Sequence, residues 1–372
     1  VTCLEEGGGS RLKITFPHMG NACIAIEAML EKLRLEVIPP PPISKKTIEI
    51  GIKYCPEFAC MPLKITMGNF IEALEMGADT ILMAGGWGPC RFGYYAQVER
   101  DILQDLGYQF DMVILEAPDS RASELFRQLQ TLGQNVSVWE AFKALKFAWY
   151  KLQGVEKLEK KFAWLHPRAL DKRQVESIYD QALLDMKQAK NKKAIDEACG
   201  KNLAALDMVL LRGEEPLKIG LVGEIYTVLE PMSNFDIARS LGRLDVEADN
   251  SIYISDWLND HLLGGLVKKS HRQQLVKCAR PYLNYFVGGH GLETVGSTVA
   301  YARNQYDGVI QVGPLTCMPE IVAQSVLNRV SREENIPCMT LYFDQHAGAA
   351  GIQTRLEAFT DMLKRKKASL AI

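Results

Sequence analysis

The chain has no Cys-x2-Cys pair, no Gly-x4-Gly-Lys-Ser/Thr phosphate loop, no polybasic block and no apolar run long enough to span a bilayer. The first absence argues against a structural zinc site, which is usually built from tight cysteine pairs. The second argues that ATP binds a partner and not this chain. Gly289-His290-Gly291 has only a loose likeness to a dinucleotide fingerprint, and no recognisable strand runs directly into it. The third, with a formal net charge of -2, argues against nucleic acid or an anionic membrane surface as partner. The lysines of 187–193 read as a solvated helix face. The N-terminal run 1–9 is acidic and Gly-rich, with no signal-peptide pattern, so a cytoplasmic protein is expected. What is present is ordinary globular composition: 372 residues, 47% hydrophobic and 24% charged, enough for two domains with real cores.

Nine cysteines are scattered along the chain, too sparse for a disulfide scaffold. Cys3, Cys23, Cys199, Cys278 and Cys338 sit in apolar context and read as small buried hydrophobes. Cys60, Cys90 and Cys317 differ, because each lies in a Gly/Pro-flanked loop. Two of these loops repeat one pattern: an apolar strand from Asp79 opens into Gly88-Pro89-Cys90, and one from Asp307 opens into Gly313-Pro314 and then Cys317. In open α/β sheets, ligands bind beyond the carboxyl ends of the strands. A helix starting at such a loop aims backbone N–H groups at the thiol. Three thiolates delivered to one place suggest a metal, best an iron–sulfur cluster with one open coordination position. Zinc and plain buried cysteines remain the rival readings, and Cys55 is a further candidate ligand.

An internal comparison organises the remainder. Leu12-Lys13-Ile14 pairs with Leu217-Lys218-Ile219, the segment Leu33 to Val37 with Gly242 to Val246, Asp79 with Asp307, and Met112 to Glu116 with Met339 to Asp344. The pairs are collinear. Each half therefore reads as alternating strands and helices, with strands that are short continuous apolar runs. The predicted fold is two doubly wound, flavodoxin-like parallel α/β domains, 10–120 and 216–372. A helical insertion or connector at 121–215 joins them, with the site in the interdomain cleft. Helices are expected from Gly68 to Glu75 and from Pro319 to Arg332.

Cys60 stands 19 residues before Asp79, and the same step back from Asp307 reaches Gly288, the start of a Gly-rich loop with His290 and Glu293. The second half thus offers a Gly-rich loop with His290 and Glu293 where the first offers Cys60. His290 is the acid/base candidate, since its glycine neighbours permit close approach. Glu224 and Tyr226 follow the first strand of the second half and are expected to face the cleft, with Glu224 a catalytic candidate. Asn234 reads equally as a helix cap or a site residue. His18 and Asn21 occupy the equivalent loop of the first half. Glu57 and Lys64, flanking Cys60, read as proton donors or solvated charges.

The three cysteine loops, with Gly88-Pro89-Cys90-Arg91-Phe92-Gly93, resemble the 2-hydroxyacyl-CoA dehydratase family. So does the block from Asp307 through Ile336-Pro337, Asp344 and Thr354-Arg355-Leu356-Glu357-Ala358-Phe359. Within that family the chain is most similar to the branch of CoA-protein activases and dehydratase-activase-related proteins. The resemblance implies a [4Fe–4S] cluster on Cys60, Cys90 and Cys317 with the fourth iron open. It also implies an actin-like ATPase activator, with its own cluster, as electron donor, and a dimer with itself or a related subunit. A double-cubane cluster would need about three more cysteines, with only Cys23 and Cys55 in plausible loops, and ranks lower. The activity expected is reduction of a small, acyl-CoA-like or other, substrate. A cluster-carrying relay subunit and a Rossmann-type nucleotide-binding protein are the alternatives.

Overall fold

A computed structural model of the protein describes residues 12–86, 88–115, 122–133, 136–261 and 270–370. The run 1–9 with Cys3, as well as Trp87, Glu116 and the expected boundary at 120–121, lie outside the described residues. The chain divides into two compact units. Of the described residues, 12–150 and 258–261 form the first, and 151–257 and 270–370 the second.

The first unit begins with β1 (Lys13–Thr15), α1 (Cys23–Lys32), β2 (Glu36–Val37), α2 (Lys45–Tyr54), α3 (Met61–Glu75) and β3 (Thr80–Ala84). A 3-10 turn (Arg91–Tyr94) then leads into α4 (Tyr95–Asp105), β4 (Asp111–Leu115), α5 (Ala122–Leu132) and α6 (Val138–Leu165). Its four strands are all parallel, in the order β2-β1-β3-β4. That is the doubly wound, flavodoxin-like order. Ile14, Thr15, Phe16 and Ile81 are at most 1% exposed, as expected of strands covered on both faces. One core layer is formed by Ile14, Phe16, Leu30, Leu82, Leu129, Leu132 and Ala144.

A 3-10 turn (His166–Arg168) follows α6. The second unit continues with α7 (Lys172–Gln188), α8 (Lys192–Asp207), β5 (Leu217–Gly223), α9 (Ile225–Leu229), α10 (Pro231–Asn234), α11 (Ile237–Arg243) and β6 (Val246–Asn250). Then come α12 (Ile254–His261), α13 (His271–Ala279), α14 (Gly291–Arg303), β7 (Gly308–Pro314), α15 (Met318–Glu333), β8 (Cys338–Phe343) and α16 (Ala349–Leu370). Its strands are parallel in the matching order β6-β5-β7-β8, and β7 is buried along its whole length. The helical stretch after β4 is divided between the units within α6, at Tyr150.

The internal repeat is physical. Asp79 Oδ1 accepts the Lys13 N–H at 2.9 Å, and Asp307 Oδ2 accepts the Lys218 N–H at 2.8 Å. Each aspartate ties the start of a central strand to its neighbour. Two of the sequence pairings slip in register. Leu35 corresponds to Val246 and not to Leu244, because Lys13 faces Glu36 while Lys218 faces Glu247. A slip of two residues leaves a strand's faces unchanged, so apolar pattern alone does not detect it. Met112 corresponds to Cys338, a slip of one from Met339, since they stand against Ile81 and Val309 respectively.

Each unit also places a helix pair before its central strand, α2–α3 before β3 and α13–α14 before β7. The helices approach through glycine: a methyl at Gly68 would lie 2.0 Å from Thr47 O, and one at Gly296 2.2 Å from Leu275 O. Among the described residues no helix is long and apolar enough to cross a membrane.

Candidate functional site

A helix that precedes a parallel strand runs against it, so it begins at the level of the strands' carboxyl ends. Cys60 is the residue that opens α3, and Cys90 opens the turn into α4 after β3. Both therefore belong to the carboxyl-end edge of the first sheet, and their loops meet. The Arg91 guanidinium donates to Phe58 O at 2.9 Å, and Cys60 Sγ is in close hydrogen-bond contact with Tyr95 Oη on α4. Phe92 packs edge-on against Tyr95 with ring centres 5.3 Å apart. Gly88, at φ 93°, lets the chain turn just ahead of Cys90. Lys64 is not a solvated charge: it is 2% exposed, and its ammonium donates to Glu57 O at 3.0 Å.

The second unit repeats the arrangement with one change. Cys317 opens α15, and His290 opens α14. His290 thus caps the corresponding helix, although the 19-residue step itself reaches Gly288, because α14 begins two residues later in the shared register than α3. The two turns touch: a methyl at Gly291 would lie 2.5 Å from Pro319 O, and one at Gly289 3.2 Å from Pro319 Cγ. The glycines beside His290 thus let its turn close on the Cys317 turn. Cys60 and Cys317 share a further detail, since each begins a Cys-Met-Pro segment whose proline sits in the helix's first turn. Proline there costs no hydrogen bond, because that N–H lacks a helical partner anyway.

Glu224 follows β5 directly. Its carboxylate accepts the Tyr226 and Thr227 N–H groups and the Thr227 hydroxyl, so it caps α9, while burial pushes its pKa up. Gly223 before it has φ 139°, and a methyl there would lie 1.8 Å from Val312 O. Asn234 resolves toward backbone bonding: its amide donates to Thr227 O at 2.6 Å, and its Oδ1 accepts the Ile237 N–H. His18 and Asn21 are half-buried in the loop between β1 and α1.

The remaining cysteines carry a different chemistry. Burial pushes the Cys55 thiol up to about 12, with Glu99 adding to the shift, and its Sγ donates to Leu63 O at 3.8 Å. Burial likewise pushes Cys338 up to about 11 and raises Cys199. These groups persist as thiols, which are poor metal ligands. Cys60 and Cys317 instead cap α3 and α15, and Cys90 opens the 3-10 turn into α4, with Cys317 as buried as Cys55. Among the described residues no three His, Cys, Asp or Glu side chains are arranged to hold a single metal ion. A four-iron cluster makes a different demand, because each thiolate binds its own iron.

Two polar groups next to these turns escape sequence reasoning. Glu99 on α4 and Glu320 on α15 are both 0% exposed. Glu99 Oε1 is hydrogen-bonded to the Thr66 hydroxyl of α3, and Glu320 to the Thr294 hydroxyl of α14 at 3.1 Å. The signal for Glu99 lay in its spacing: it falls on the apolar stripe of Tyr95, Ala96 and Leu103. No protein-family model matches the chain, and no curated protein matches it.

Proposed function

We propose that the chain is an iron–sulfur protein of the 2-hydroxyacyl-CoA dehydratase type, with Cys60, Cys90 and Cys317 jointly holding one [4Fe–4S] cluster. The observation that supports this reading is the placement of the three sulfurs, of which Cys90 and Cys317 follow the corresponding strands of the two units. Cys60 and Cys317 each open a helix and Cys90 a 3-10 turn at the carboxyl-end edge of a parallel sheet, while Cys55, Cys199 and Cys338 are held as thiols by burial. The donor set suits the group, since thiolates are the usual ligands of such clusters and three of them leave one iron open. When bound, such a cluster supplies a low-potential electron and a Lewis-acidic iron.

The chain's own residues do the rest. Tyr95 is placed to donate to the Cys60 sulfur, and Arg91 ties the two turns of the first unit together. His290, beside Cys317, takes the proton-transfer role for a substrate reduced there, and Glu224 fixes the neighbouring strand end through its cap of α9. The reading requires both units to contribute thiolates to one cleft. It brings with it an ATP-hydrolysing activator as electron donor, a small substrate, a reducing cytoplasmic compartment and a dimeric assembly.

Iron determination on anaerobically purified protein tests it. About four irons per chain are expected. Cys60→Ser, Cys90→Ser and Cys317→Ser should each lose that iron, whereas Cys199→Ser and Cys278→Ser should keep it. Iron retained in Cys317→Ser would remove the second unit from the site. Iron lost in Cys55→Ser would close the open coordination position.

A further inference from the structure

Each unit buries one acid between the two helices that carry its site turns, bonded to a threonine at a matching position. Thr66 and Thr294, which bond these acids, both stand 13 residues before the aspartate that starts the central strand. The hydrogen bonding at Glu99 is unusual. Thr66 Oγ1 lies within bonding distance of three oxygens: Pro62 O at 2.9 Å, Leu63 O at 3.1 Å and Glu99 Oε1. A hydroxyl has one proton, and carbonyl oxygens only accept. If the threonine gives its proton to a helix carbonyl, as threonines within helices commonly do, its bond to Glu99 takes its proton from the carboxyl. Glu99 Oε2 has no hydrogen-bond partner among the described residues. A charge spread over two oxygens with so little solvation is strongly disfavoured.

We propose that Glu99, as a neutral acid, is a positioning residue that locks the Cys60 helix α3 to the Cys90 helix α4, and that loss of its proton unlocks them. Burial, which pushes the carboxyl from 4.5 up to about 8, agrees with the geometry. The titratable groups around it do not replace the lock. From the end of α2, Cys55 is a buried thiol, and its charge coupling extends to Cys60 and Lys64 as well as to Glu99. From α3, Lys64 is held on Glu57 O. From α4 itself, Tyr95 stands one turn earlier and is engaged with Cys60.

The second unit supplies the contrast. Glu320 accepts from the Thr294 hydroxyl and from the Gln311 amide, the latter at 2.8 Å, and Glu224 and Glu293 are the acids that bear on it. Burial pushes Glu320 up to about 8 as well, so the contrast lies in the donors: two true donors serve a carboxylate as well as a carboxyl, and this lock holds in both protonation states. The inference does not depend on the iron reading, because it concerns the polypeptide alone.

Hydrogen exchange by mass spectrometry on the full chain, from pH 6 to 10, tests it. Comparison with Glu99→Gln at each pH cancels the intrinsic pH dependence of exchange. Segments 56–66 and 88–99 of the wild type should accelerate relative to Glu99→Gln by about tenfold per pH unit above about pH 8. Segments 288–296 and 314–322 should show no such difference. Thr66→Val should lose protection in the first pair of segments at every pH, while Glu99→Gln, which keeps a neutral donor toward Thr66, restores a flat profile. Identical profiles for wild type and Glu99→Gln, or unchanged protection in Thr66→Val, would overturn the proposal. Should Glu99→Gln not fold, wild-type infrared spectra replace it. Loss of a protonated-carboxyl band in step with the acceleration supports the lock, and acceleration without that loss overturns it.

Discussion

The two units share a frame and differ at the residues that open their helices. The aspartate at the head of the central strand, the threonine and buried glutamate behind the site turns, and the glycine at the helix crossing recur in both. The helix before the central strand is capped by Cys60 in the first unit and, two residues later in the shared register, by His290 in the second. The loop after the central strand carries a cysteine in both. The packed residues of the frame are alike in both units, and of the two helix-opening positions one is alike and the other differs.

The helix crossings offer the largest way to break this comparison. Alanine is normally better than glycine inside a helix by about 1 kcal/mol. Here the sign should reverse, since a methyl at Gly68 or Gly296 meets a backbone oxygen that cannot turn aside. Gly68→Ala and Gly296→Ala should each destabilise their unit by at least the ~1–3 kcal/mol typical of overpacking. The first unit should prove the more sensitive, because Gly51 interlocks the same helix pair from the other side, where a methyl would lie 1.8 Å from Lys64 O. Denaturant unfolding followed by hydrogen exchange in each unit reads both effects. A neutral or stabilising Gly68→Ala would mean that the helices cross less tightly than described.

Much of this frame could be read from the amino-acid order, and the failures have physical causes. The parallel strands declare themselves as short apolar runs, and Asp79 and Asp307 align the halves correctly. Helix α3 was foreseen only from Gly68, although it begins at Met61. Nearly every residue from Met61 to Ile71 is buried, so its first turns show no amphipathic period to detect. Strand registers slipped where neighbouring apolar residues are interchangeable. At the site, the loops of Cys60 and Cys90 meet through Arg91 and Tyr95, and the Gly-rich loop from Gly288 stands before α14 as the loop of Cys60 stands before α3. Lys64, Glu99 and Glu320 were not legible as buried groups, because a lone charged residue is usually solvated and nothing in the order of residues reveals its partner. Thr66 and Glu99 are 33 positions apart, and Thr294 and Glu320 are 26 apart.

Acid sensitivity sharpens the comparison further, because the second unit carries a buried histidine at a place the first does not repeat. His166 is 1% exposed, and burial pushes its pKa from 6.5 down to about 4 despite Glu176 at 3.0 Å. The neutral ring is thus the folded form, while the unfolded chain takes up a proton below pH 6.5. Stability from this group is complete above pH 6.5 and is lost as pH falls toward 4. Glu176, lowered chiefly by its hydrogen bond to Arg243, acts in the same direction. Exchange in segment 162–176 should therefore accelerate between pH 6.5 and 4 relative to a His166→Gln variant, with segments 80–84 and 111–115 unaffected. Equal acceleration in both units would show that the acid response belongs to the shared frame.

The smallest effect concerns the aspartates that align the repeat. Asp79→Ala and Asp307→Ala each remove a carboxylate that accepts a backbone N–H from the neighbouring strand, a loss of about 1.5–3 kcal/mol when the acceptor is charged and the donor is left bare. The two should not be equal. The Asp79 bond is exposed, so water can take over the Lys13 N–H, and the loss should fall below that range. Asp307 is better shielded and also pairs with Lys367 of α16 at 3.2 Å, so its removal loosens the C-terminal helix as well as the strand. Faster exchange near 363–370 in Asp307→Ala, with no counterpart in Asp79→Ala, is the expected asymmetry. If α16 exchanges alike in both variants, Lys367 contributes only a screened surface pair, and the two units are alike even at this point.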